Sequence, residues 1–246
     1  MLWFIGAALC AYFIKGLCGF ANTLIFSTIL SFGVDNINIS PVDLILGFPS
    51  NIIVTWKNRK ELRWKTWLPL TILVIAGNIP GIFLLKNTDV KAIKVLFGIA
   101  VIAIGTEMLI REKNKKVHQN TEKTAIEKCF LVLIGIISGV LCGLYGIGAL
   151  LAAYMSRVTR TNEEFKANIC MVFIAENIFR IVMYTWNGIL TIHVLYQAIL
   201  LIPIMILGLW IGMKSSGKLN EAVVKKIVII VLLLSGLSLI ISNISI

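Results

Sequence analysis

Apolar residues run along this chain in long blocks, not in the alternating or one-faced patterns of a soluble fold. A helix needs about 20 such residues to cross roughly 30 Å of hydrocarbon. Six blocks suit single spans: 41–56, 67–85, 92–110, 168–186, 193–213 and 227–244. The first is short and contains Pro49, which predicts a tilted or broken helix. Two further blocks, 2–32 and 129–155, are too long for one simple span; straight helices of those lengths would reach about 46 and 40 Å. Each has a helix-weakening, glycine-rich centre. In one it is Lys15-Gly16-Leu17-Cys18-Gly19, in the other Gly143-Leu144-Tyr145-Gly146-Ile147-Gly148.

The two centres align. At an offset of 127, Gly16, Leu17, Gly19 and Leu24 fall on Gly143, Leu144, Gly146 and Leu151, and Gly81 falls on Gly208. Asn51-Ile52 falls on Asn177-Ile178 at 126. The pattern predicts an all-α polytopic membrane protein of two homologous halves, 1–112 and 125–246, joined by a basic linker, 113–124. Each half is one glycine-broken long segment plus three transmembrane helices.

Composition narrows the class. Of 246 residues, 58% are hydrophobic and only 14% charged, against about 25% charged in an average soluble domain. Mean hydropathy is +0.92. These values exclude an ordinary cytosolic enzyme, a disordered chain and a secreted disulfide scaffold. The start, Met1-Leu2-Trp3-Phe4-Ile5, has no basic n-region or cleavage site and reads as the first membrane segment. The five cysteines (Cys10, Cys18, Cys129, Cys142 and Cys170) lie in or beside apolar blocks and read as buried thiols. They do not cluster with the two histidines, so no metal or cofactor is expected.

Charge decides the threading. Lys and Arg number 23 against 12 Asp and Glu, a net +11. If both long segments cross once, the halves are parallel and the basic loops fall on both faces. If each dips in and returns, the halves are inverted repeats. Eighteen cations then gather on the cytoplasmic face, in 57–65, 111–128, 157–166 and 214–226. Only Lys86, Lys91 and Lys94 lie outside, so this threading obeys the positive-inside rule and predicts a multi-pass plasma-membrane protein with extracytoplasmic termini. The basic loops then need no nucleic acid, because topology and anionic lipid headgroups account for them.

Lys15 and Arg180 remain inside the membrane, where a charge is costly and functional by default. Glu176 lies four residues before Arg180 on the same helical face, so the two can satisfy each other as an ion pair. Lys15 has no sequence-local partner and either faces an anion or snorkels to an interface. Broken backbone inside a bilayer must face protein or a watery cavity. Half-helices starting near Gly19-Phe20-Ala21-Asn22-Thr23 and near Gly146-Ile147-Gly148 would aim positive dipole ends at such a cavity, favouring an anion. The alternative is that these glycines only permit close helix packing. Tyr145 belongs to the same candidate site, as do Asn51 and Asn177, which either line the cavity or bond between helices. The aspartates Asp35, Asp43 and Asp89 are read as lying in loops or at span ends. No nucleotide-binding, metalloprotease or serine-hydrolase motif is present, so the chain is not read as an enzyme.

At its two glycine-rich centres the sequence resembles the sulfite exporter TauE/SafE family of membrane permeases. The resemblance rests on Ser138 to Gly148, Ala153-Tyr154 and Phe165-Lys166-Ala167-Asn168, with a weaker counterpart at Lys15 to Phe20. Ala21-Asn22-Thr23 and Ala149-Leu150-Leu151-Ala152 stand where the family often continues with glycines and a proline. The resemblance implies passage of small sulfur-containing anions such as sulfite or organosulfonates, in either direction. The expectation is a secondary carrier with alternating access; a passive anion channel and a non-transporting scaffold are the alternatives. Its partners are a small anion and the lipid bilayer. Oligomeric state is open, with a homodimer among the options.

Overall fold

The computed structural model describes residues 2–31, 39–87 and 148–218, with scattered residues in 95–110, 132–142 and 223–241. Among them all regular structure is helical: α1 (Leu2–Cys18), α2 (Asn22–Ser31), α3 (Ile39–Lys57), a 3-10 turn (Arg59–Glu61), α4 (Trp64–Asn87), α5 (Ala149–Val158), α6 (Asn162–Trp186) and α7 (Ile192–Ser216). Three of these, α3, α6 and α7, are long and apolar enough to cross a membrane.

Helix α6 begins six residues before the apolar block that predicts it. Thr161 caps it, its hydroxyl accepting from the Glu164 amide at 3.1 Å, and Glu163 and Glu164 fill the first turn, where the helix dipole favours acids. Pro49 lies within α3 and does not end it.

Between α1 and α2 the chain leaves the helix for three residues. Gly19 and Ala21 have φ of +87° and +73°. Glycine accepts this freely, and a Cβ at position 19 would also meet Lys166 Cγ at 2.7 Å. Ala21 has no such freedom and carries roughly 1–2 kcal/mol of strain. Side chains from either side of the break meet, with Phe4 and Phe26 edge to face at 6.2 Å between ring centroids.

Helix α1 lies against α7 along a seam of small residues. A Cβ on Gly16 would come within 2.8 Å of Gly212 Cα, and one on Gly208 within 2.7 Å of the Leu9 carbonyl. Backbones this close gain van der Waals packing, one of the forces that associate helices where lipid removes the hydrophobic drive, and Ser216 adds a hydrogen bond to the Leu17 carbonyl at 3.2 Å. A matching seam joins α4 to residues 135–140: Gly77 would meet Gly139 Cα at 2.9 Å and Gly81 would meet Val140 Cα at 3.1 Å. Gly81 and Gly208 thus each sit in a close seam, and Gly16 serves packing.

Three basic segments gather at one end of the bundle. Arg63 Nε pairs with Glu164 Oε1 at 3.1 Å. Asn168 accepts from the Arg63 amide at 2.9 Å and donates to the Glu61 carbonyl at 3.2 Å. Lys166 donates to Ser216 Oγ at 2.5 Å and to the Gly16 carbonyl at 3.4 Å, joining the last turns of α1 and α7. Lys166 thus sits in the second turn of α6, buried, and not in the loop to which its sequence neighbours assign it. Trp56 and Trp210 are exposed near the same end, with Arg59 and Lys214 over their rings at 4.8 and 4.9 Å, an arrangement that suits a membrane interface.

Candidate functional site

A cavity forms where the break after α1 meets α3, α6 and the residue preceding α5. Lys15, Phe20, Ala21, Asn22, Thr23, Asn51, Gly148, Asn177 and Arg180 all line it, together with Leu24, Asp43, Leu44, Gly47 and Phe173. Nine of the residues expected from sequence therefore share one wall. Gly19 is not among the lining residues; its carbonyl accepts from the Cys170 thiol at 3.2 Å. Tyr145, Gly146 and Ile147 lie outside the described residues.

Lys15 is 1% exposed, so its chain does not snorkel to an interface. Among the described residues its ammonium makes no hydrogen bond or ion pair, and it lies 5.7 Å from the Tyr12 ring centroid. A buried cation left this way is strongly attractive to an anion, because little water competes for it.

Arg180 is held instead. It reaches Glu176 Oε1 at 3.4 Å, Ser40 Oγ at 2.9 Å and the Tyr184 hydroxyl at 3.0 Å, while its Nε has no partner among the described residues. Glu176 stands behind it and accepts from Asn78 at 3.4 Å. With its amide oriented by these neighbours, Asn177 donates to Glu176 Oε2 at 2.8 Å and accepts from Asn51 Nδ2 at 3.1 Å. The two asparagines bond to one another and line the cavity.

Asp43 corrects the sequence reading. It lies in the second turn of α3, 3% exposed, and faces the cavity. Tyr12 donates to its Oδ1 at 2.9 Å, Asn22 Nδ2 to the two oxygens at 3.0 and 3.2 Å, and the Thr23 hydroxyl to Oδ2. A signal for it was present in the sequence: one acid between Val42 and Leu44 at the head of an apolar block. The described residues contain no group of three His, Cys, Asp or Glu that could hold a metal ion.

Of the cysteines, Cys18, Cys142 and Cys170 are buried, as expected, whereas Cys10 is exposed on the outside of α1; Cys129 lies outside the described residues.

Membrane-length helices enclosing a charged, polar cavity define an integral membrane protein with a hydrophilic site within its span. The family model for the sulfite exporter TauE/SafE matches residues 4–239, nearly the whole chain, and the protein belongs to that family. Membership implies a membrane permease for sulfite or a related anion. No curated protein and no solved structure matched the chain. The stretch Phe165–Asn168, which carries part of the likeness, has a mechanical role: Phe165 packs edge-on against Phe20 at 5.8 Å, and Lys166 and Asn168 make the ties at the basic end.

Proposed function

We propose that the protein is a secondary permease for a small sulfur-containing anion, such as sulfite or an organosulfonate, working in the plasma membrane by alternating access between inverted halves, 1–112 and 125–246. The observation that carries this is Lys15, a buried ammonium without an ion pair among the described residues, at a cavity shared with Arg180. Two helix starts face the same space, the first turn of α2 at Asn22-Thr23 and Gly148 before α5, and helix N-termini favour anions. Tyr145, Gly146 and Ile147 complete the second tip in this reading.

Several contacts support a segment 2–31 that enters the bilayer and returns. Phe4 and Phe26 touch, whereas a continuous helix would separate them by about 33 Å. Tyr12 and Asn22 meet on one carboxylate, Asp43. Inverted halves are supported by reciprocity. A Cβ on Gly98 would meet Ile240 Cγ1 at 2.6 Å, and one on Gly236 would meet Ile102 Cγ1 at 2.7 Å. The numbers rise on one strand of that contact as they fall on the other. A two-fold axis lying across the helices generates this pattern, as in inverted-repeat transporters. The Arg63–Glu164 pair favours the same threading, since parallel halves put 57–66 and 157–166 on opposite faces. The positive-inside rule makes their shared face cytoplasmic.

The test is flux in proteoliposomes for sulfite, sulfonates, sulfate and small carboxylates. Saturable flux and exchange of sulfite or a sulfonate are expected. Flux that stays linear with concentration identifies a channel, and no flux of any anion rejects transport.

A further inference from the structure

We propose that the anion crosses together with a proton carried on the carboxylate of Asp43. The inference rests on the permease reading above and adds the driving ion to it.

Asp43 is an odd residue to find in an anion cavity. It is buried, and it lines the same space as Lys15 and Arg180. In that space Arg180 is answered by Glu176, which leaves Lys15 and Asp43 to balance one another across the cavity. An anion that comes to Lys15 upsets that balance, because it arrives beside a carboxylate in a setting of little water. Like charges at close quarters disfavour joint ionisation, and a proton on one of them removes the conflict. The anion therefore recruits a proton, and the loaded site is neutral again.

The groups around Asp43 can serve both of its states. Tyr12 from α1 and Thr23 from α2 each offer it a hydroxyl, and Asn22 offers an amide. A hydroxyl donates to a carboxylate and, after rotation, accepts from a carboxylic acid. A metal cation suits the place less well, since the Asn22 NH2 points at both oxygens. Other charged or titratable groups near this space are Lys15 on α1 and Glu176, Arg180 and Tyr184 on α6. On α7 the described His193 and Lys214 are exposed, as is Tyr196.

The step is simple in its balance. A proton from water on the loading side forms an O–H bond to Asp43, travels with the anion, and returns to water on the other side. A monoanion then moves without net charge.

The test uses the full-length protein in proteoliposomes, with methanesulfonate, which stays ionised across the working pH range, and sulfite as probes. A dye in the lumen reports pH. In the wild type, acid outside is expected to drive accumulation and to acidify the lumen as anion enters. Asp43→Asn is expected to lose accumulation driven by the pH gradient by about tenfold or more, while an inside-positive potential still drives entry, as for a charged, uncoupled substrate. Anion entry into wild-type vesicles without luminal acidification overturns the inference and leaves the permease reading intact, as does Asp43→Asn that still accumulates on a pH gradient. Wild-type vesicles that move neither probe overturn both. If Asp43→Asn does not fold, Tyr12→Phe decides. Tyr12 donates directly to Asp43, so its loss is expected to change the pH profile of transport; a profile identical to that of the wild type overturns the inference.

Discussion

Asn51 Nδ2 donates to Asn177, its amide oriented by its neighbours, at 3.1 Å, and both residues line the cavity. Through that bond the two side chains act as a unit. Asn51→Ala and Asn177→Ala combined in a double-mutant cycle should show a coupling of about 1 kcal/mol in unfolding from detergent. Additive effects would remove the bond from the account.

Lys15 should matter through charge and not bulk. Lys15→Met keeps most of the volume of the side chain and removes the cation. It is expected to raise the KM for the anion by about tenfold or more, a loss of about 1.4 kcal/mol in binding, with little change in thermal stability. An unchanged KM would falsify its role as an anion ligand.

Ala21 stands at a backbone angle that suits glycine. Ala21→Gly is expected to stabilise the folded protein by about 1 kcal/mol, by relieving left-handed strain. Ala21→Val should cost at least as much. Thermal unfolding of the two variants in one detergent compares them directly.

The seam between α1 and α7 has no room for a side chain at Gly212. Gly212→Leu is expected to cost about 3 kcal/mol through overpacking and to reduce the yield of monodisperse protein. Gly6→Leu is the control on the same helix pair, since nothing lies within 4 Å of a Cβ there, and should behave as wild type.

The sidedness of the bundle can be read with fusions. A reporter active only in the cytoplasm should be silent at the C-terminus and active within 113–124. Activity at the C-terminus would reject inverted threading.

Much of this architecture is visible in sequence because bilayers make simple demands. Length and hydropathy mark α3, α6 and α7, and the glycine-rich centre with Lys15 marks the break at Gly19–Ala21. Asp43 escaped because position along the chain was taken for depth. An acid four residues into α3 counts as a span end when only α3 is considered. Helices α1 and α2 pack beside it and bury it. Lys166 escaped for the opposite reason. A lysine beside a basic loop reads as topology, and only the tertiary contact with Gly16 and Ser216 reveals a tie. Residues whose role depends on a neighbour from another helix are not legible along one helix alone.

The glycine seams have a consequence for how the chain comes apart. Helix α1 finds its close-packed partner on α7, and α4 finds its partner at 135–140, so both seams join elements far apart along the chain. A chain severed in 113–124 would yield two fragments, neither holding either seam complete. Expressed singly, both should be degraded; expressed together, they should reassemble into one working protein.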